Sequence, residues 1–309
     1  MISADDLGIF LEVARRGRLT EAAKHLGLNH ATVGRHISQL ERSAEQRLFH
    51  RDPSGWSLTS AGTRLLVHAE AVEAAVVAAR EDCLQTSHHL TGSVRLITPD
   101  GFGTFLVGSG FGEFQAALPG LSLELIIANV HTSLSTREFD LAVAIERPVA
   151  RAVRTVKLAD YELRLYAAPA FLRAHSPIRS ADDISDDAFI WYVDDSLGSP
   201  TLETLYRAVP TARPKYQINT ISGQIAAAQQ GLGLAFLPSW IGDITPGLER
   251  VDGFPHAVPH SYWLLVPCNL VRLARVRATT GLLEGFVERC PGLHLVTRNV
   301  SAKLRGEVG

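Results

Sequence analysis

The stretch LTEAAKHLGLNHATVGRHISQLE, residues 19–41, decides how the first part of this chain is read. Two short helical patterns are separated by Gly27-Leu28-Asn29, and each carries its apolar residues on one side only. In the first, Ala22, Ala23 and Leu26 face inward, with Thr20 as the expected cap and Gly27 as the terminating position. In the second, Asn29 is a good N-cap for a helix to about Ser43, with Val33, Ile37 and Leu40 at steps of four and three on the buried side. Its opposite side carries His30, Thr32, Arg35 and Gln39.

Working outward, Phe10, Leu11 and Ala14 recur at helical steps in a preceding helix that Gly17 ends. After Leu48-Phe49, the turn residues Asp52-Pro53-Ser54-Gly55 between short extended segments predict a hairpin through Arg51 and Trp56. Thr59 then caps a long helix reaching roughly His89. Its residues Leu65, Ala69, Val72, Val76, Ala79 and Cys83 step by four and three, the seam of a coiled coil. The alternative is a helix packed on its own domain.

Beyond Gly92, short β-rich runs alternate with helices, the pattern of an α/β domain. The expected strands are 94–98, 121–127, 141–145, 163–168, 189–193, 216–219, 234–237 and 262–266. Helices are expected to about Ala117, over 222–230 and over 270–288, with a loose polar tail after Arg298.

At 309 residues the chain exceeds one ordinary domain, and 46% hydrophobic with 20% charged residues is a globular composition. A net charge of −2 makes no general case for nucleic acid. The local balance does: from Arg15 to Arg51 there are eight Lys and Arg against three Glu. Asp5 and Asp6 open the chain where an export signal would be basic, and no run approaches about 18 apolar residues, so a cytoplasmic protein without membrane contact is expected. Cys83, Cys268 and Cys290 are scattered without metal-ligand spacing, which fits reduced thiols and gives no metal or other cofactor a site.

No constellation for catalysis stands out. Gly108-Ser109-Gly110-Phe111-Gly112 misses the dinucleotide fingerprint by one position, and Val107 removes the nucleophile-elbow spacing. His88-His89 lacks a partnered carboxylate or Cys. A purely solute-binding protein would leave the first ninety residues unexplained.

Phe10, Ala14, Gly17, Leu19-Thr20, Ala22-Ala23, Leu26, Val33, His36-Ile37, Leu40-Glu41, Leu48-Phe49, Arg51, Leu58-Thr59 and Ala61-Gly62 together resemble the LysR-type transcriptional regulators. The resemblance extends more loosely through Leu165 to Phe171 and Gly231 to Pro238. It implies a winged helix-turn-helix over residues 1–58, a linker and dimerisation helix over 59–90, and an effector-binding domain over 91–309. That last domain is expected to fold like a periplasmic solute-binding protein, with lobe I about 91–160 and 265–295, and lobe II about 161–264. Two strands should cross between the lobes, near Asp160 and near Leu264. A homodimer or homotetramer on a pseudo-palindromic promoter is likewise implied.

In a helix-turn-helix the second helix of the pair enters the major groove by its N-terminal residues, which selects His30, Ala31, Thr32 and Arg35 for base edges. Lys24, Arg42 and Arg51 are expected on phosphates, whereas Arg15, Arg16 and Arg18 read better as a solvated basic face. Asn29-His30 and Gly34 depart from the family pattern; Gly34 costs its helix about 1 kcal/mol relative to Ala. It implies either close approach of backbone to DNA or a relaxed fit.

For the small-molecule effector, open α/β sheets collect ligands at strand carboxyl ends and helix N-termini. This selects Thr98, Asp100, Thr104, Asn129, Thr132, Glu146, Arg147, Asn219, Thr220 and Ser222. Asp100 and Glu146 would favour a neutral or cationic effector, and Arg147 the opposite.

Overall fold

In the computed structural model, residues 2–52, 55–84, 90–128, 139–148, 152–184, 189–193, 206–210 and 215–306 are described. Contacts divide the chain into two units, Met1–Ser87 with Arg272–Ala274, and His88–Val271 with Arg275–Gly309.

The first unit opens with α1 (Ala4–Arg16), which Ser3 caps by accepting the Asp6 N–H and which ends at Gly17 in the left-handed region, φ 65°. An L side chain is strained there, so Gly17 lets the chain reverse at once. Its carbonyl accepts the Trp56 N–H at 2.6 Å. This tight turn corrects the expected start of the second helix. Helix α2 (Leu19–Leu26) begins before Thr20, with Arg18 in the cap position and no side-chain cap. Gly27 ends it as anticipated, and Asn29 caps α3 (His30–Ala44) by accepting the Ala31 N–H.

Strands β1 (Phe49–Asp52) and β2 (Gly55–Leu58) form the hairpin, pairing Phe49 with Leu58 and Arg51 with Trp56. Thr59 then caps α4 (Ser60–Leu84) through the Gly62 N–H; residues 85–89 of the expected helix lie outside the described ones. Phe10, Leu11, Val33, Ile37, Leu40 and Ala69 make one core, with Leu65 and Val72 against it. The first half of the heptad seam therefore covers its own unit, because α1 lies along it, whereas Val76 is 55% exposed.

The second unit is built on one sheet of order β4-β3-β5-β11-β6-β9-β7-β8. Strand β3 (Gly92–Thr98) leads into α5 (Asp100–Ser109) and α6 (Phe111–Ala117), so the single helix expected to Ala117 is two, broken at Gly110. Strands β4 (Leu121–Ile127) and β5 (Leu141–Ala144) both run parallel to β3. The 163–168 strand proves to be the end of a fifteen-residue strand, β6 (Val153–Ala167), which leads into α7 (Pro169–Ala174).

Next come β7 (Phe189–Trp191), β8 (Tyr216–Gln217), α8 (Ile221–Gln229), β9 (Leu234–Pro238), α9 (Ser239–Gly242) and β10 (Glu249–Arg250). Strand β11 (Val258–Pro267) returns antiparallel along most of β6, with Ser261 opposite Asp160 and a register shift between Tyr262 and Trp263. The carboxyl half of β11 pairs with β5, and the carboxyl half of β6 pairs with β9. These two long strands thus join a β4-β3-β5 half-sheet to a β9-β7-β8 half-sheet.

Helix α10 (Ala274–Arg289) starts later than expected and brings Phe286 against Phe102, whose ring also meets Tyr262 and Trp240 edge-on. After β12 (His294–Leu295) the tail folds into a helix as far as it is described, which corrects its reading as loose up to Gly306. Helix α11 (Val300–Arg305) is capped by Asn299, its first N–H groups donate to Glu284, and Val300, Ala302 and Leu304 are buried. Three apolar residues at steps of two within a polar segment are too few for a periodic signal. No helix among the described residues is long and apolar enough to cross a membrane.

Candidate DNA-contact helix and effector cleft

Helix α3 buries Val33, Ile37, Leu40 and Glu41, which leaves His30, Ala31, Arg35, Gln39 and Arg42 exposed and Thr32 half-buried. The side chain of Asn29 occupies the Ala31 N–H at 2.9 Å. Arg42 reaches Gln39 at 2.8 Å and remains at the surface, as does Lys24. A Cβ at Gly34 would meet Leu19 at 3.6 Å, an ordinary contact, so packing within the chain does not require a glycine there.

Two contacts fix α3. Asp6 on α1 lies 2.7 Å from the His36 ring. Burial raises the Asp6 pKa, but the hydrogen bonds with His36 and Ser3 outweigh it and hold the carboxyl below its usual range. Glu41, also buried, accepts the Leu48 N–H at 2.9 Å and the Phe49 N–H at 3.4 Å, and takes Arg51 at 2.6 Å. Arg51 lies over the Trp56 ring at 4.6 Å as well, so its guanidinium has an intramolecular task at the base of the hairpin. Arg15 is bound bidentately to Glu73, and Arg16 to Glu12, which places both in ion pairs among helices.

In the second unit, Asp100 in the first turn of α5 reaches across to the first turn of α8. Its Oδ2 accepts the Ser222 N–H at 2.7 Å; its Oδ1 accepts the Ser222 hydroxyl at 3.1 Å and the Thr104 hydroxyl at 3.3 Å. An internal carboxylate therefore occupies a helix N-terminus where a bound anion would otherwise be stabilised. Beside it opens a cavity of about 500 Å³, counted out to its mouth, lined by Asp100, Asn219, Tyr161, Tyr192, His260 and Tyr262 with apolar neighbours such as Ile145 and Ile221. Tyr161 and Tyr262 are stacked at 4.3 Å. Burial raises the pKa of both, and of Tyr192, so all three hydroxyls stay protonated. Burial also lowers the His260 pKa to about 4, against an opposing pull from Glu146.

The ten residues expected in this cleft are thus distributed unevenly. Asp100 and Asn219 line the cavity, and Thr104 and Ser222 are tied to Asp100. Thr98 is corrected: it is fully buried, beneath a Gly103 whose added Cβ would fall 2.2 Å from its hydroxyl. Thr220 commits its hydroxyl to capping α8 through the Gly223 N–H. Arg147 is exposed over the Trp263 ring at 5.6 Å and is not among the lining residues, and Glu146 is half-buried near His260. Asn129 and Thr132 lie outside the described residues.

Residues 4–63 match the family description "Bacterial regulatory helix-turn-helix protein, lysR family", and residues 87–295 match "LysR substrate binding domain". The chain belongs to the LysR family. It is a DNA-binding transcriptional regulator with a C-terminal effector-binding domain, and the family consists of regulators rather than enzymes. Among LysR-family relatives, the HTH-type transcriptional regulator DmlR of Escherichia coli (strain K12) is 25% identical over 309 residues, covering 94% of this chain and 97% of its own. YofA of Bacillus velezensis is 25% identical over 264 residues, 84% of this chain and 88% of its own. Two solved structures are similar in fold. A full-length OxyR variant from Pseudomonas aeruginosa has a TM-score of 0.73 at 16% identity, covering 96% of this chain and 99% of that one. ArgP from Mycobacterium tuberculosis has a TM-score of 0.63 at 19% identity, covering 90% and 98%.

Sequence reasoning missed Glu41 as the anchor of the hairpin, and Tyr161, Tyr192, His260 and Tyr262 as cavity walls. The signal for three of these was present. Asp160 was expected at a crossing between lobes, and His260 and Tyr262 alternate on the returning strand, so both point to one face. These residues sit in the middle of the crossing strands, away from the strand ends where open sheets usually collect ligands.

Proposed function

We propose that this LysR-family regulator reads promoter DNA with His30, Ala31, Thr32 and Arg35 and is switched by a small molecule held between its two C-terminal lobes. The observation that carries the first half is the exposed amino-terminal edge of α3, whose inner face is locked by Asp6 and Glu41. Arg35 offers a bidentate grip on guanine and Thr32 a hydroxyl, while Lys24 and Arg42 supply phosphate contacts. Arg51 supports the wing and adds charge near it.

For the second half, the Asp100–Ser222 contact supports a cleft between lobe I (about 91–160 and 265–295) and lobe II (about 161–264), arranged like a periplasmic solute-binding protein. An effector that closes the lobes favours one assembly shape over another, and that differential affinity resets the spacing of the DNA-binding domains, residues 1–58. The exposed Val76 on the linker helix, residues 59–90, supports assembly as a dimer or tetramer through that seam. The reading places the assembly in the cytoplasm, where its promoter DNA is.

A gel shift on the DNA upstream of the protein's own coding region tests this. A retarded band that weakens with salt is expected, and Arg35→Ala should lower affinity by about 10- to 100-fold without changing the melting temperature. Wild-type affinity retained in Arg35→Ala, together with His30→Ala, would place recognition elsewhere.

A further inference from the structure

The inference rests on the reading of the cleft as the effector site and assigns that effector a charge. Three features around the cavity agree. Asp100 lines the cavity and has about four acceptor positions, of which Ser222 and Thr104 take three among the described residues, so one remains for a further donor. No Lys or Arg is found among the described residues that line the cavity, Arg147 being held over Trp263 instead. The Nε2 atom of His260 is shut from solvent and has no hydrogen-bond partner among the described residues, although its ring lines the cavity.

Burial keeps that imidazole neutral at pH 7, which leaves a ring nitrogen able to accept an N–H. The rings of Tyr161, Tyr192 and Tyr262 add aromatic surface, whose faces attract cations. A carboxylate ligand would find the Ser222 N–H already taken and the Asp100 charge beside it. An ammonium group, by contrast, would find in one cavity the Asp100 carboxylate, the neutral His260 ring and an aromatic wall, with no Lys or Arg among the described lining residues. We propose that the effector is a small organic cation, an ammonium joined to an apolar or aromatic body, with its charge beside Asp100.

Calorimetric titration of the full-length protein at pH 7 with benzylammonium, benzyl alcohol and benzoate, close in shape and different in charge, tests this. Benzylammonium should bind at least about tenfold more tightly than benzyl alcohol, with no binding of benzoate. Asp100→Asn, which keeps an acceptor toward Ser222 and removes the charge, should lower benzylammonium affinity by about tenfold or more. His260→Phe should lower it less. Benzoate binding as tightly as benzylammonium overturns the charge assignment and leaves the cleft reading intact. Benzylammonium affinity unchanged in both variants puts the site elsewhere and overturns both. Silence from all three ligands to about 10 mM overturns the proposed cation chemistry, while the promoter gel shift still reports on regulation independently.

Discussion

Helices α3 and α8 begin alike and face different surroundings. Each is capped by a side chain, Asn29 on the Ala31 N–H and Thr220 on the Gly223 N–H. At α3 the residues after the cap stand in the open, whereas at α8 the next N–H and hydroxyl, both of Ser222, are bound by Asp100 from another helix. A helix start is a generic donor of N–H groups. What faces it determines whether it meets an outside partner or serves as an internal clasp.

The largest effect expected on this contrast comes from Glu41, which holds the hairpin base behind α3. Glu41→Ala leaves the buried Leu48 and Phe49 N–H groups without their acceptor and frees the partly exposed Arg51, a loss of about 2 to 4 kcal/mol. In urea unfolding of the full chain the first unit should melt early and promoter binding should vanish, while ligand binding in the second unit persists. Loss of both together would show that the two helix starts are not independent.

A smaller effect sharpens the other side. His260 is neutral in the fold with a pKa of about 4 against an ordinary 6.5, so the unfolded chain takes up a proton first as pH falls. Stability should therefore decline as pH drops from about 6.5 to 4, by an amount on the order of 3 kcal/mol in full. His260→Gln should flatten that segment of the profile in thermal melts taken across pH. An unchanged profile would mean that the ring is solvated in solution.

The smallest effect is the most direct comparison. Asn29→Ala and Thr220→Ala each remove one cap and should each cost about 1 kcal/mol in unfolding measurements. Only Asn29→Ala should also weaken promoter binding in the absence of ligand. Equal weakening by the two would erase the distinction between an outward and an inward helix start.

Much of the fold was legible because local chemistry announces itself. Gly17, Gly27 and Asn29 mark helix ends that the structure reproduces, and the hairpin around Arg51 and Trp56 follows from its turn residues. Boundaries failed where distant groups intervene: Trp56 pins the turn at Gly17, so α2 starts ahead of Thr20. Glu284 anchors the final helix, which no local pattern signalled. In the cleft, strand ends led to Asp100 and Asn219 but also to Thr98, which the backbone of α5 covers.

The sequence by itself determined the exposed polar edge of α3, because side-chain period and capping are properties of neighbouring residues along one helix. Only the tertiary structure decided that Asp100 clasps Ser222, 122 residues away, and that two tyrosines and a histidine from the crossing strands wall the same cavity. Those groups meet because β6 and β11 run antiparallel beside each other, and strand pairing at such separations is set by the packing of the whole sheet.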